Sequence, residues 1–430
     1  MSKVINKKYI IFIGSVPKSV LESINNYILE TNKNLEVIVF QNEKNITNDF
    51  LKNNSIFIVD FDDKKNIREN LKKVGEKNIF SVTARGEKNI PLYQKIIPFL
   101  PNHVKTPKAK ALSFSTEKTL MRQKFEKKCK KLNPKFKIIH KKTKKIVDEI
   151  CKDIGFPLII KPAGLSASIL VSSAYYREEL EEGLDLIFKK INTIYQKKKG
   201  RGKPTVLVEE MMEGDIYSVD VHIDSKGKIY FNPFVAYTTA RQKGFDDFFL
   251  YERIIPSGLD DDQIKKGQEI AKTGIKALGL KNSTAHIELI NKGNNWKIIE
   301  IGPRVGGYRS VLYKKTYNIN IDLNDVLIKT DEKIKIPKKK IGNMTTIQLY
   351  PKEEGYIKKI EGINKIKKLE SFYSLSKQLR KGQKSIWSKN GGDGVLRITL
   401  FNENYEQFIA DKRRAEKMIK IETVKQRKKI

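Results

Sequence analysis

The chain has 430 residues and a formal net charge of +35 at pH 7, and 39% of its residues are hydrophobic while 31% are charged. This is a globular balance with room for about three domains of ordinary size. The apolar runs are strand-length and fall far short of the ~20 residues that span a bilayer, which excludes a membrane-spanning helix as the organising element.

Two features of the sequence predict the cellular compartment. Cys129 and Cys151 are the only cysteines, and their spacing fits neither a metal site nor a disulfide framework. The first residues, Met-Ser-Lys-Val, lack the apolar region of a secretory signal peptide. Together these features predict a protein of the reducing cytoplasm.

The positive charge has two interpretations. A field of this sign attracts nucleic acids and other polyanions. Lysine, asparagine and isoleucine nevertheless recur along the whole chain, as in a protein encoded by AT-rich DNA, and the lysine runs are not interleaved with aromatic residues as in a nucleic-acid-binding module. A general lysine bias on a solvated surface is therefore favoured, and nucleic acid is not expected as a partner.

The amino-terminal part alternates between apolar strands and amphipathic helices. Strands are predicted at 8–14, 35–40, 55–60 and 78–83. One helix, at 17–31, is predicted between the first two strands, and another, at 64–74, between the last two. Such alternation indicates an open, mostly parallel sheet with helices on both faces. The first strand is not followed by G-x-G-x-x-G, so dinucleotide binding lacks its motif.

Lys118 lies in the first turn of a helix predicted over about 113–125, with Thr116 as its cap. A lysine at this end of a helix is unfavourable against the helix dipole unless an anion lies nearby. An ordinary surface lysine is the alternative interpretation.

Lys161 ends a buried strand predicted at 157–161 and precedes a loop of small residues, Ala163 to Ser168. Small side chains let backbone N–H groups approach phosphate oxygens, and serine hydroxyl groups add donors. The chain then returns in a strand predicted at 169–171. A plain hairpin with a serine-rich turn is the alternative.

A strand predicted at 205–210 ends in Glu209 and Glu210 and leads into Met211 and Met212. A carboxylate, backbone polar groups and flexible methionine side chains suit an adenine, whose amino group donates and whose ring requires an apolar slot. This strand end is the candidate site for a nucleotide base.

Residues 284–307 read TAHIELINKGNNWKIIEIGPRVGG. Two apolar runs flank a Lys-Gly-Asn-Asn turn and predict a β-hairpin, on which Glu288 and Glu300 fall at nearly equivalent heights. Facing carboxylates are costly without a cation because each raises the pKa of the other. Mg²⁺, which takes oxygen ligands, would remove that cost. Two solvated glutamates are the alternative.

These motifs, in this order and together with Arg304, resemble those of the ATP-grasp superfamily over roughly 113–330. The flanking parts are similar to those of its carboxylate–amine ligase branch, which contains the L-amino-acid ligases. The resemblance implies an α/β and α+β multidomain fold. Its parts are a Rossmann-like N-terminal domain at 1–111, a two-lobed ATP-grasp core at 112–204 and 205–337, and a small α+β C-terminal cap at 338–430.

The resemblance also implies an activity. A carboxylate attacks the γ-phosphate of ATP, and an amine displaces phosphate from the acyl phosphate to give an amide or dipeptide with ADP and phosphate. The implied cofactors are ATP and Mg²⁺, with Mn²⁺ as a substitute. The implied substrates are a small carboxylic acid and an amine or amino acid. No membrane partner is expected, and the oligomeric state, a homodimer included, is left open.

The implied residue roles follow the motifs. Lys118 and Lys161 hold the ATP phosphates under a lid that includes Gly164, Ser166 and Ser168. The adenine is bound by Glu209 with the Glu210, Met211 and Met212 strand end, and the metal is bound by Glu288 and Glu300. Arg304, with Lys161, is the implied catalytic group because it steadies the acyl phosphate.

Two positions depart from the family pattern. Gly302 stands where an asparagine usually provides a third metal ligand, and Ile216 stands where an acid usually contacts the ribose, so the adjacent Asp215 is the candidate for that contact. On the substrate side, Arg309 is predicted to bind a carboxylate bidentately. His286 and Arg241 are further candidates, with a core histidine and a surface loop as their alternatives.

Two other functions stay open at this point. The same scaffold serves carbamoyl-phosphate and purine-type enzymes, which act on bicarbonate- or formate-like acids. A degenerate ATP-binding protein with a regulatory or nucleic-acid-associated role is the non-enzymatic alternative, favoured by Gly302, Ile216 and the charge.

Overall fold

The computed structural model describes residues 7–43, 55–165, 168–198, 200 and 202–425, without the side chains of Lys198 and Lys377. Ser166 of the predicted lid lies outside the described residues. In the part of the chain that is described, no helix is both long enough and apolar enough to cross a membrane.

The amino-terminal elements form a parallel four-stranded sheet with helices packed on it. Their bounds are β1 (Lys8–Ile13), α1 (Lys18–Thr31), β2 (Leu35–Gln41), β3 (Ser55–Ile58), α2 (Lys64–Val74), β4 (Ile79–Ala84) and α3 (Ile90–Ile96). The strand order is β3-β2-β1-β4, and all three pairings are parallel. The predicted Rossmann-like sheet is confirmed. β4 ends at the carboxyl-terminal edge of this sheet, and Glu87 in the segment that follows contacts Arg304.

The next part is a small antiparallel sheet of four strands in the order β5-β8-β6-β7. Its elements are α4 (Ala109–Thr116), α5 (Lys118–Lys128), β5 (Phe136–Ile139), α6 (Lys144–Asp153), β6 (Leu158–Pro162), β7 (Ser172–Ala174), α7 (Arg177–Lys198) and β8 (Val206–Glu210). Val147 and Ile150 of α6 and Leu180 and Leu184 of α7 form one apolar cluster with this sheet.

Two local predictions here are wrong. The strand that returns from the lid begins at Ser172 rather than 169, because Ser168 and Leu170 both have φ of 57°, a turn conformation that interrupts extended chain. Thr116 is the last residue of α4 and does not cap α5, and the residue before α5 is Glu117.

A large antiparallel sheet carries the rest of the chain. Its main path is β14-β13-β9-β11-β12-β15-β19-β17, and β10 pairs with β9. The elements are β9 (Asp215–Ile223), β10 (Ile229–Phe231), β11 (Val235–Thr239), β12 (Leu250–Ile255), α8 (Asp261–Leu278), β13 (Ser283–Lys292), β14 (Asn295–Gly302), α9 (Arg309–Tyr317), α10 (Ile321–Leu327), β15 (Asn343–Leu349), β17 (Phe372–Gln378) and β19 (Leu396–Asn402).

This sheet crosses the domain boundary predicted at 337/338. Arg253 of β12 pairs with Thr346 of β15, so the strands after the boundary extend the sheet that precedes it. The remaining elements are β16 (Gly355–Glu361), α11 (Ile363–Ile366), β18 (Lys384–Ser385), α12 (Tyr405–Met418) and β20 (Lys420–Val424), with the strands in the order β18-β16-β20. The expected separate cap is therefore joined to the larger lobe through main-chain hydrogen bonds.

The hairpin of β13 and β14 follows the prediction closely. Its turn is made by Gly293 and Asn294, whose φ values of 55° and 66° are those of a type I′ turn, and this turn matches the twist of the paired strands. The turn sets the register of the pairs from Lys292 with Asn295 to Leu289 with Ile298, and a bulge between Leu289 and Glu288 then shifts it by one residue, so that Glu288 lies opposite Glu300. Without this bulge Glu288 would lie opposite Ile299.

Helix α8 packs against this hairpin at Gly274. A Cβ atom at that position would lie 2.4 Å from Cδ1 of Ile298 and 2.9 Å from Cδ1 of Ile301, so the helix approaches the sheet more closely than an alanine allows. Both isoleucines are fully buried and have little room to move.

We expect Gly274→Ala to destabilise the protein by about 1–3 kcal/mol, because overpacking outweighs the gain of about 1 kcal/mol in helix propensity. Urea unfolding measures the effect, with exposed Lys276→Ala on the same helix as the control. A Gly274→Ala protein as stable as the parent would contradict the packing described here.

Candidate active site

Glu288 and Glu300 face each other on adjacent strands. The nearest polar neighbour of Glu288 is His286, whose Nε2 lies 3.4 Å from Glu288 Oε1. Burial by itself would raise the pKa of Glu288, but the contact with His286 and the charges of Arg304 and Arg309 outweigh it, so the pKa lies below its ordinary value. Glu288 is therefore a carboxylate anion at neutral pH.

This pair fits one type of metal ion. Within the described ranges there is no group of three or more His, Cys, Asp or Glu side chains that could hold a metal, which argues against an all-protein cage. Two carboxylates instead suit Mg²⁺, which commonly takes one or two carboxylates and completes its shell with water and substrate phosphates. The residues present thus fit a metal shared with a nucleotide.

Lys118 is the first residue of α5 and lies beside this pair. Its Nζ donates a hydrogen bond of 2.9 Å to the carbonyl oxygen of Leu165 in the lid and lies 3.3 Å from Oε2 of Glu300. The anion that its position at the helix amino terminus requires is thereby supplied in part by Glu300. Lys118 thus joins the lid to the facing carboxylates, and its role in binding phosphate remains a prediction.

The lid donors are used differently from the prediction. The N–H of Gly164 donates to the hydroxyl group of Tyr195 at 2.7 Å, and the hydroxyl group of Ser168 donates to the carbonyl oxygen of Phe248 at 3.1 Å. In this conformation both donors are engaged within the protein, so neither is directed at a phosphate. Their contacts fix the shape of the loop.

A buried ion cluster lies beneath the lid. Glu209 accepts from Arg122 Nε at 2.6 Å and from Lys161 Nζ at 2.5 Å, each on a different carboxylate oxygen. Arg122 also donates to the carbonyl oxygens of Ile298 and Ile299 at 3.1 and 2.9 Å. The cluster therefore ties α5, β6 and β8 of the small lobe to β14 next to Glu300.

The ionisation of this cluster follows from its charges. Burial opposes the charge on Glu209, but Arg122 and Lys161 lower its pKa from the ordinary 4.5 to about 2. Burial lowers the pKa of Lys161 below its usual range, although Glu209 acts in the opposite direction. Since both Glu209 oxygens bind cations, the predicted contact of this side chain with adenine is wrong. Glu209 instead positions Lys161.

The remainder of the predicted adenine site has a suitable shape. Glu210, Met211 and Met212 line a cleft of about 340 Å³ together with Phe156 and Ile290. The Met211 N–H donates to the carbonyl oxygen of Pro157 at 2.9 Å, which fixes the path of the chain between the lobes. The cleft offers the apolar walls and polar chain edge that a purine requires.

Asp215 is not among the residues that line this cleft. It is the first residue of β9, is exposed and pairs in register with Asn291. Its predicted contact with ribose remains a prediction.

Arg304 connects the metal site with the amino-terminal domain. Its Nη2 donates to Oε2 of Glu87 at 3.0 Å, and its Nη1 donates to the carbonyl oxygen of Val305 at 3.2 Å. Burial opposes the charge of Arg304, but Glu87 and Glu300 raise its pKa, so it stays cationic. Glu87 was not anticipated from the sequence, in which the loop after β4 appeared only as part of the scaffold.

His286 is buried between two carboxylates. Its Nδ1 lies 3.2 Å from Oδ2 of Asp220, and its Nε2 contacts Glu288. Although burial disfavours the charged ring, Asp220 and Glu288 raise the pKa of His286. This geometry lets His286 orient the carboxylate of Glu288, as hydrogen-bond partners of metal-binding side chains commonly do.

Two predicted substrate residues are placed elsewhere. Arg309 is 1% exposed and donates to Asp220 at 3.2 Å and to Ser218 at 2.5 Å, as well as to the hydroxyl group of Tyr237, so it cannot grip a substrate carboxylate in the expected bidentate way. Arg241 is exposed, contacts the hydroxyl group of Tyr175 and lies 3.9 Å from Sδ of Met211. It therefore lies at the nucleotide end of the cleft.

The sequence contained one usable signal for the residues it missed. Arg122 follows Lys118 by four residues and so lies on the same face of α5, where both side chains meet the site. Asp220 gives no such signal, because an acid within an apolar strand becomes meaningful only when its partners are known.

Comparison with known proteins agrees with this geometry. A family model described as an ATP-grasp domain matches residues 154–311. An alanine–anticapsin ligase from Bacillus amyloliquefaciens is 28% identical over 183 residues, 40% of this chain and 38% of that protein. A formate-dependent phosphoribosylglycinamide formyltransferase from Sulfurisphaera tokodaii is 31% identical over 162 residues, 37% of this chain and 38% of that protein.

The fold match extends further than the sequence match. The crystal structure of an L-amino acid ligase from Bacillus licheniformis superposes with a TM-score of 0.76 at 18% identity, covering 97% of this chain and 99% of that one. Residues 154–311 therefore match an ATP-grasp domain in sequence, and the chain matches the L-amino acid ligase in fold. The resemblance to the carboxylate–amine ligase branch is confirmed, although this chain spans only about 38% of the length of the curated relatives named above.

We expect Glu209→Gln to destabilise the protein by about 3–5 kcal/mol at pH 7, because it leaves two buried cations without their anion. The difference from the parent should narrow as the pH falls from about 4.5 toward 2, since the depressed pKa of Glu209 contributes stability only above that range. Urea unfolding at several pH values measures it.

The matched control is Glu210→Gln on the same strand. Its carboxylate is half-exposed and contacts Lys297 at 3.2 Å, so a change below about 1 kcal/mol is expected. Equal changes in the free energy of unfolding for the two substitutions would show that the buried cluster stabilises the protein no more than a half-exposed ion pair does.

Proposed function

We propose that the protein is an ATP-dependent carboxylate–amine ligase that forms an amide or dipeptide bond and releases ADP and phosphate. The observation that carries the proposal is the in-register pair Glu288 and Glu300, flanked by Lys118 on one side and Arg304 on the other. The two ligases among the similar proteins support it.

The charge of each residue determines its proposed role. Lys118 and Lys161 would hold the nucleotide phosphates, while Arg304 would offset the charge that develops on the acyl phosphate and on the tetrahedral species formed by the amine. Mg²⁺ held by Glu288 and Glu300 would supply further charge neutralisation of the phosphates. The lid above Lys161 would exclude water, which competes with the amine for the acyl phosphate.

The finer assignments belong to the same proposal. They are Mg²⁺ as the metal, a small carboxylic acid and an amine or amino acid as substrates, and the reducing cytoplasm as the compartment, in keeping with the free thiols of Cys129 and Cys151. A purine-type reaction on a formate-like acid is the second candidate. The formyltransferase relative favours it locally. Solved structures of both types match nearly the whole chain, and the L-amino acid ligase has the higher TM-score, 0.76 against 0.67 for a purine-type synthetase.

The test measures ATP-dependent phosphate release with pools of amino acids, with and without Mg²⁺, and follows products by mass spectrometry. Metal-dependent release with a condensed product supports the ligase. Release only with formate or bicarbonate and a nucleotide amine supports the purine-type candidate. No turnover with any pool, together with salt-sensitive binding of DNA or RNA, would overturn both.

Glu300→Gln should reduce turnover at least about 1,000-fold, because one metal carboxylate contributes several kcal/mol of transition-state stabilisation. Thermal unfolding should change little, since Glu300 is partly exposed. Phosphate release is the measurement, and Glu269→Gln on the exposed face of α8 is the control. Retained activity would mean that the metal site is misassigned.

Gly302→Asn should lower the Mg²⁺ concentration for half-maximal turnover by roughly 3- to 10-fold, because the side-chain oxygen adds a ligand where the family usually has one. The backbone has room, since a Cβ there would lie 3.6 Å from Cζ of Arg304. Magnesium titration of turnover and direct Mn²⁺ binding report the effect, with Gly293→Asn in the hairpin turn as control. Unchanged metal affinity would place position 302 away from the ion.

A further inference from the structure

Two arginines unassigned so far flank one aromatic ring near the metal site. The guanidinium of Arg253 lies 5.1 Å from the ring centroid of Tyr308, and that of Arg397 lies 4.5 Å from the same centroid. Arg253 belongs to β12, Arg397 to β19, and Tyr308 to the loop that follows Arg304. The three residues are termed the arginine–tyrosine site below.

This site and the metal carboxylates share one face of the large sheet. Residues opposite each other in register, and residues two apart on a strand, point to the same side of a sheet. The path runs in such steps through β15, β11 and β9, by the pairs Arg397 with Gln348, Thr346 with Arg253, Arg253 with Tyr237, Tyr237 with Ile216, and Ser218 with Glu288.

Tyr237 links the two sites over a short distance. Arg253 lies 5.9 Å from the centroid of the Tyr237 ring, and the hydroxyl group of Tyr237 lies 3.5 Å from Nε2 of His286, which contacts Glu288. One aromatic side chain thus separates the arginine–tyrosine site from the metal ligands.

The site has more positive than negative charge. Within the described part of the chain, no carboxylate lies within 4 Å of Arg253. Its Nη1 donates a hydrogen bond of 3.3 Å to the carbonyl oxygen of Leu250. Arg397 contacts Asp393 at 3.1 Å, but the carboxylate of Asp393 is 66% exposed whereas the arginine side chain is 10% exposed. The buried Nε of Arg397 has no partner among the described residues. Burying guanidinium groups with unfilled donors is costly unless an anion completes them.

Tyr308 is held in an unusual conformation. Its φ of 62° is in the left-handed region that bulky residues rarely adopt, and its side chain is 40% exposed. Backbone strain of this kind persists where surrounding structure enforces it and is concentrated at ligand sites. Here it keeps the ring between the two arginines.

We propose that Arg253 and Arg397 bind a carboxylate of the substrate that does not react, with Tyr308 holding both guanidinium groups in place. This inference rests on the proposed function and narrows its substrate class. At least one substrate would carry an acidic group that does not react, namely the α-carboxylate of an amino acid that supplies the amine or the second carboxylate of a dicarboxylic acid. The position replaces the buried Arg309 as the carboxylate-binding site.

The first experiment compares carboxylates with carboxamides in the turnover assay. In one arm, the best amine-supplying amino acid is compared with its α-carboxamide, and in the other L-glutamate is compared with L-glutamine as the acid. The parent should prefer the carboxylate by about 10- to 100-fold in kcat/KM in one arm, which identifies the substrate concerned. Arg253→Gln and Arg397→Gln should reduce that preference to a few-fold.

Arg413→Gln is the matched control, because Arg413 is exposed on α12 and its replacement lowers the net charge by the same amount. It should keep the preference of the parent. An Arg253→Gln enzyme that still distinguishes carboxylate from carboxamide as the parent does would overturn the proposal, as would a parent without any preference in either arm.

A binding measurement separates this inference from the proposed function. Glutarate should raise the unfolding temperature of the parent with Mg²⁺ and ADP, whereas glutaramide should not, and the glutarate effect should be lost in Arg253→Gln but kept in Arg413→Gln. This result without phosphate release from any pool would leave the carboxylate site standing while the ligase proposal fails. Equal glutarate shifts in the parent and Arg253→Gln would overturn the site.

Discussion

The carboxylate of Glu209, shared by Arg122 and Lys161, is the constraint on which the rest of the site depends. The three residues of this ion cluster come from α5, β8 and β6, and Arg122 also donates to carbonyl oxygens of β14. Because the cluster is buried, moving any one of these residues would leave a charge without its partner in an apolar environment. Lys161 and the carboxylates of Glu288 and Glu300 are therefore held at a fixed separation although they belong to different lobes.

A second polar network does the same on the substrate side. Asp220 accepts from the N–H of Gly306 at 2.7 Å and contacts both His286 and Arg309, so it fixes the loop after Arg304 against the sheet. Burial opposes the charge on Asp220, but His286 and Arg309 hold its pKa well below the usual range. With Glu87 joined to Arg304 from the amino-terminal domain, three separate parts of the chain meet at the point where an acyl phosphate would form.

Patterns local to the chain were predictable, and partnerships across it were not. The strand–helix alternation predicted the parallel sheet, and the Gly293–Asn294 turn predicted the hairpin that carries Glu288 and Glu300, because both depend on spacing within a few residues. The bulge that brings the two carboxylates opposite each other was not visible in that spacing. Glu209 and Arg309 were assigned to ligands because a charged residue at a strand or loop end looks free until its partners, up to 91 positions away along the chain, are located. The continuity of β12 with β15 was hidden for the same reason, since 88 residues or more separate the paired positions.

That continuity has a consequence for how the protein could diversify. The facing carboxylates of Glu288 and Glu300 lie at one end of the large sheet, and β15 and β19 lie toward the other. With the roles proposed above, a change in β19 would alter which molecule fits without touching any residue proposed to hold nucleotide or metal. A lineage of such proteins would then exchange substrates by changing one end of a sheet while the phosphate chemistry proposed for the other end is kept.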